Sequence, residues 1–122
     1  MNSLVNKACL GLLSLVVASA SSAQELSSAH IASPEYYKVL LENDQVLVLE
    51  MVLKPGESDR AHRHRNETVY FQKGGQLTIT EDNGKSFVAD VPDRHVMWHE
   101  AWAHQVSNTG DTEVVAIIIE QK

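Results

Sequence analysis

GESDRAHRHRNETVYFQKGG, residues 56–75, sets two histidines two positions apart, a glutamate three positions later and a glycine pair at the close. On an extended strand, side chains two apart leave the same face, so His62 and His64 can converge on one point while Arg63 and Arg65 point away. The odd step from His64 to Glu67 has the wrong parity for that face. It needs a turn or bulge at Arg65–Asn66 if Glu67 is to join them. Gly74 and Gly75 permit a tight reversal into the next apolar run. Taken alone, the spacing fits a charged strand end as well as a metal site.

Working outward, the chain from Tyr36 onward alternates short apolar runs with turn residues. YYKVLL ends at END, QVLVLEMVL at KPGE, TVYFQ at KGG, LTIT at EDNG and KSFVA at DVPD; VMWHE, AHQVS and VVAIII follow. These read as about eight strands rich in Val, Ile, Thr and aromatics, with Asn83-Gly84 marking a hairpin. No segment beyond residue 23 has helical periodicity, and the punctuation predicts an all-β sandwich or barrel. Two strands, QVLVLEMVL and VVAIII, are apolar at both parities. Such a strand is either buried between layers or part of a subunit interface, and the expectation is a homodimer.

The first 23 residues carry one lysine (Lys7), an apolar run from Ala8 to about Ala18, and small residues up to Ala23. This is the layout of a cleaved signal peptide, too short for a membrane span, and it predicts an exported protein, periplasmic or secreted, with no membrane attachment after cleavage. Residues 24–34 read as a flexible leader, and 35–122 as one domain. The single cysteine, Cys9, lies in the signal segment, so the exported chain cannot form a disulfide within itself. Cleavage removes Lys7 and no acid, shifting the net charge from −6 to −7. Without a basic stripe, nucleic acid is excluded as a partner, and a small-molecule ligand or substrate is expected instead.

Downstream, HQVSNTG places His104 on another strand before an Asn-Thr-Gly turn. A barrel can bring such a residue to the His62–His64 face. Three nitrogen ligands and one oxygen ligand would leave positions open on a six-coordinate ion. Here the chain resembles the cupin superfamily. That family's first motif reads Gly, five residues, His-x-His, three or four residues, Glu, six residues, Gly. This chain has Gly56, His62, His64, Glu67 and Gly74, with one residue fewer between His64 and Glu67. The second motif ends His, three residues, Asn, matched by His104 and Asn108; the Pro and Gly that usually precede its His are replaced by His99 and Ala101.

The resemblance implies a double-stranded β-helix, the cupin jelly-roll barrel. It implies a divalent transition metal on His62, His64, Glu67 and His104, with Fe or Mn favoured and Zn, Ni or Cu as alternatives. The implied activity is that of a metal-dependent enzyme on a small organic molecule, dioxygenase-like or isomerase/decarboxylase-like. The alternative is a non-catalytic module binding a small ligand or a metal.

Four further residues are candidates for the substrate pocket. Arg60 shares the parity of the histidines and could bind a carboxylate at the barrel mouth, or simply pair with Glu57 or Asp59. His99, Trp98 and Trp102 flank the second motif and could line an apolar pocket or serve as plain core or interface residues. His95 shares parity with His99 and reads as an outer-face residue.

Overall fold

The computed structural model describes residues 11, 14, 15 and 25–122. The signal-peptide reading therefore falls almost wholly outside the described residues. Among those residues, no helix is long and apolar enough to cross a membrane.

Nine strands account for most of the described chain: β1 (Tyr37–Glu42), β2 (Val46–Leu53), β3 (His62–His64), β4 (Glu67–Lys73), β5 (Gly75–Glu81), β6 (Ser86–Val91), β7 (His95–His99), β8 (Trp102–Asn108) and β9 (Val114–Gln121). They form a five-stranded sheet ordered β1-β2-β9-β4-β7 and a four-stranded sheet ordered β3-β8-β5-β6. All the strand pairings are antiparallel. Neighbours along the chain often lie in opposite sheets, so the two sheets face each other as the halves of a jelly roll. The extra strand relative to the sequence reading is β3, the three-residue His-Arg-His segment itself.

Period-two alternation decides which side chains enter the barrel. Leu47, Leu49, Met51 and Leu53 of β2 are buried, as are Val69 and Phe71 of β4, Leu77 and Ile79 of β5, and Val114, Ala116 and Ile118 of β9. Continuing two of these inward rows, and that of β8, brings polar residues inside: Glu67 begins the β4 row, Glu120 ends the β9 row, and His104 precedes the buried Val106 on β8. The polar site is thus the end of the core.

The turns explain the signature residues that are not site residues. Lys54-Pro55-Gly56-Glu57 closes with a 3.0 Å bond from the Glu57 N–H to the Lys54 carbonyl, and Gly56 has φ +82°. Proline then glycine at the two centre positions makes a type II turn, which requires that positive φ. At Gly74 an added Cβ would lie 2.0 Å from the Val91 carbonyl oxygen, so only glycine lets the chain pass there. Asn108 is buried and works as a clamp. Its Nδ2 donates to the Leu53 and Thr112 carbonyls, each at 2.8 Å, and its Oδ1 accepts from the Gly110 N–H.

One expectation changes. Residues 24–34 were expected to be loose, yet α1 (Ala29–Ala32) packs against the barrel and both Ala29 and Ser33 are fully buried. One backbone and one side-chain bond tie this segment to β3: the Arg63 N–H donates to the Ser27 carbonyl at 2.9 Å, and Arg63 Nε donates to the Leu26 carbonyl at 2.7 Å. The doubly apolar strands, β2 and β9, lie at the centre of the five-stranded sheet. Their outer faces carry Val48, Ile119 and Ile117 in lateral register with one another or with Thr68 and Tyr70 of β4. Among the described residues no further layer of this chain covers that face, and Leu41, Val96, Trp98 and Ile119 are exposed on or beside it.

Candidate metal centre

β3 and β8 pair so that His62 faces His104 across the ladder, with His64 two positions along. The three rings have centroids 4.7–5.1 Å apart, and one ligand atom of each lies within 4.8 Å of the others. All three are buried. Nothing else among the described residues forms such a group of three.

The rear nitrogens fix the front ones. His62 Nδ1 lies 2.8 Å from the Arg60 carbonyl, an obligate acceptor, so the proton sits on Nδ1. His64 Nδ1 lies 3.1 Å from Glu120 Oε2 and donates to it. Both Nε2 atoms are left with lone pairs, and they face each other at 2.9 Å. Two lone pairs at that distance repel unless a positive charge lies between them. His62 does not readily supply that charge by taking up a second proton, because burial and then the charge of His64 push it down to about 4. Burial, aided by His64, His62 and His99, pushes His104 down to about 2. A metal ion fits instead. Nitrogens about 2.1 Å from an ion and at right angles to each other are about 3.0 Å apart. The set of three neutral imidazoles is a standard donor set for first-row divalent ions. His104 Nδ1 is buried with no hydrogen-bond partner.

Glu67 is inside, but it is not grouped with the three histidines. The chain leaves the four-stranded sheet after His64 and re-enters the other sheet at Glu67, which corrects its parity but delivers it to the rear of His64. Its Oε2 is 3.1 Å from His64 Nδ1, without hydrogen-bond alignment, and its Oε1 accepts from Trp102 Nε1 at 3.0 Å. Burial raises its carboxyl, offset by the charge of His64 and the Trp102 bond. The expected fourth ligand thus lies on the Nδ1 side of His64, outside the three-histidine group.

Two carboxylates that sequence reading passed over support the histidines. Glu120 accepts from His64 Nδ1 and from the Arg65 N–H at 2.9 Å. Burial would raise its carboxyl, but these bonds outweigh it and hold it below the usual range. Asp59 accepts from the Tyr37 hydroxyl and from the Val106 N–H at 2.7 Å, and its Oδ2 lies 3.5 Å from His62 Nδ1. Burial, only partly offset by those bonds, pushes Asp59 up to about 6. Carboxylates behind metal-binding imidazoles fix ring orientation and raise ligand basicity. Glu120 carried a signal: it is the acid that ends the inward row Val114, Ala116, Ile118.

A cavity of about 280 Å³ opens beside the histidines, walled by the inner faces of both sheets and lined in part by His64, Glu67 and His104. Of the pocket candidates, His99 and Trp102 line it, stacked on each other at 3.8 Å, with Trp102 edge-on to His104 at 4.0 Å. Arg60 and Trp98 do not. Arg60 is exposed, bonded to Glu35 at 2.8 Å and to the Ala32 carbonyl at 2.9 Å, because the docked α1 segment supplies acceptors on the outside. Trp98 is 55% exposed on the outer face, since its parity is opposite to that of His99. His95 is exposed, at the Phe71 end of β7.

No family model and no curated protein sequence matches this chain. Solved structures do. A cupin domain from Bordetella pertussis Tohama I is 30% identical, with a TM-score of 0.65, over 70% of this chain and 91% of that one. An RmlC-like cupin family protein from Methanocaldococcus jannaschii, 14% identical, gives a TM-score of 0.57 over 70% and 77% of the two chains. A cupin-like protein from Thermotoga maritima MSB8, 18% identical, gives 0.55 over 79% and 77%. The last two share the fold alone. The Bordetella domain adds sequence identity over nearly its whole length, and with it this chain belongs to the cupin family.

Proposed function

We propose that this protein binds one divalent transition ion, Fe or Mn in the first instance, through His62, His64 and His104, and acts on a small organic molecule held in the adjoining cavity. The observation that supports this most is the pair of Nε2 lone pairs facing each other at 2.9 Å with both Nδ1 atoms engaged elsewhere. A bound ion would supply Lewis-acid or redox chemistry. The chain's own residues hold the imidazoles in one tautomer, keep water from the apolar wall and set Glu67 beside the site, where its free oxygen can accept a proton. Metal analysis of the purified protein tests the reading. His62→Ala and His104→Ala should each lose the ion; its retention by both variants would overturn the site.

Two further statements belong to this proposal. The N-terminal segment supports export with cleavage after Ala23, tested by N-terminal sequencing of the exported protein. The uncovered apolar face of the five-stranded sheet supports a homodimer, and a monomer at micromolar concentration in ultracentrifugation would remove it.

A further inference from the structure

β3 is short for a strand that carries two of the three histidines. It spans three residues, pairs with β8 on one edge and ends its sheet on the other. A bare edge of that length has little to keep it from fraying. Residues 26–35 cover it. Ser28 forms an isolated parallel bridge with Arg63, the residue between the two histidines, and the Arg63 N–H donates to the Ser27 carbonyl. The same segment grips the chain just before β3. Ser33 is fully buried, and its Oγ accepts from the Arg60 N–H at 2.9 Å. Outside, the Arg60 guanidinium bonds the Ala32 carbonyl and Glu35. The Arg60 carbonyl in turn is the acceptor for His62 Nδ1 at 2.8 Å. A hydrogen-bonded path therefore runs from Ser33 through the Arg60 backbone to the first histidine ring. Ala29, fully buried, seats the segment on the barrel.

We propose that residues 26–35 are a positioning strap for the metal centre. Docked, the strap fixes β3 and the Arg60 carbonyl, and through them His62 and His64; a bound ion in turn holds the strap down. The inference rests on the metal-centre reading above and adds to it a segment that contributes no ligand. Linkage makes the coupling reciprocal: the factor by which docking raises metal affinity is the factor by which bound metal suppresses undocking.

Zn(II), which is diamagnetic, is the probe. Its affinity is read by chelator competition, and strap opening by hydrogen exchange at the Ile31, Ala32, Ser33 and Arg63 amides, which are bonded within the strap or to it. Ala29→Glu puts a charge at a fully buried position and should undock the strap, weakening Zn(II) about 10–100-fold, as for loss of other groups that orient a metal-binding imidazole. Ser33→Ala removes only the acceptor of the Arg60 N–H and should weaken it about tenfold. Val114→Ala, buried at the other end of β9 from Glu120, controls for stability: its Tm should fall while Zn(II) affinity holds. In the wild-type chain, saturating Zn(II) should slow the four strap amides by the factor found with Ala29→Glu, and leave the Gly84 amide of the β5–β6 turn unchanged. Wild-type Zn(II) affinity in both strap variants, an equal loss in Val114→Ala, or strap exchange indifferent to Zn(II) would each overturn the proposal. If Ala29→Glu fails to fold, Ser33→Ala and the exchange rates decide. A wild-type chain that binds no Zn(II) overturns the metal centre and the coupling together; one that binds it with an indifferent strap overturns the coupling alone.

Discussion

His62 and His64 aim their Nε2 atoms at each other across 2.9 Å, while the Arg60 carbonyl and Glu120 hold the protons of the two rings on the far sides. An ion bound between the two atoms would satisfy both lone pairs. A ligand that binds only the folded state stabilises it by mass action, about 2.7 kcal/mol at 100 times Kd. Thermal unfolding with Mn(II), Fe(II) or Zn(II), and again with chelator, should therefore show a clear metal-dependent rise in Tm. Indifference to all three ions would mean that the contact is relieved by some other means.

Glu120 and Glu67 should behave differently. Glu120→Gln weakens the acceptor that orients His64 and should reduce metal affinity about 10–100-fold, read by competition with a chromophoric chelator. Glu67→Gln removes no member of the three-histidine group, so the variant should keep one ion per chain. Complete loss of metal in Glu67→Gln would make that residue a ligand after all.

The same contrast shows what the sequence could and could not reveal. Parity put His62 and His64 on one face and the cupin resemblance added His104; the β3–β8 ladder sets His62 opposite His104. Glu67 was harder. Its placement depends on how Arg65 and Asn66 cross between sheets, and Asn66 is held by partners distant in sequence, its Oδ1 by the Ala101 N–H and its carbonyl by the Gln121 N–H. Arg60 failed for a related reason. Its parity was right, but one of its acceptors, the Ala32 carbonyl, lies in a segment read as loose, and a docked N-terminal stretch leaves no periodic signal. Glu120 and Asp59 were legible only as acids at inward positions, which has meaning once the opposite face is known.

Acid should destabilise the metal-free protein. Free in the unfolded chain, His62 and His104 titrate near the ordinary 6.5, whereas folded they are lowered to about 4 and about 2. Below pH 6.5 the unfolded chain therefore binds more protons, and stability falls as pH falls. Asp59 opposes this. Raised from 3.8 to about 6, it holds a proton in the folded state that the unfolded chain lacks, so its contribution is lost as pH rises through 6. Glu67 shares that sign, and Glu120 has the opposite one. Two histidines against Asp59 leave a net destabilisation of about 1.4 kcal/mol per proton per pH unit, reduced by any titration of Glu67. Tm of chelated protein should drop from pH 7 to pH 5; a flat or rising profile would contradict the burial of these rings.

Tyr37→Phe tests the support behind His62. The Tyr37 hydroxyl donates to Asp59 Oδ2, both groups are buried, and the ring packs edge-on against His62 at 5.5 Å. The variant keeps the ring and the cavity wall but leaves one Asp59 oxygen without that donor. An unsatisfied buried acceptor costs about 1–3 kcal/mol, which should appear as a lower denaturant midpoint with an unchanged m-value. The freed Oδ2, already 3.5 Å from His62 Nδ1, is then the nearest acceptor competing with the Arg60 carbonyl for that proton. The proton stays on Nδ1 in either case, so Nε2 keeps its lone pair and metal affinity should change far less than in Glu120→Gln. A neutral effect on stability would show that Asp59 is satisfied without Tyr37. A large loss of metal with stability intact would instead put the hydroxyl at the ion.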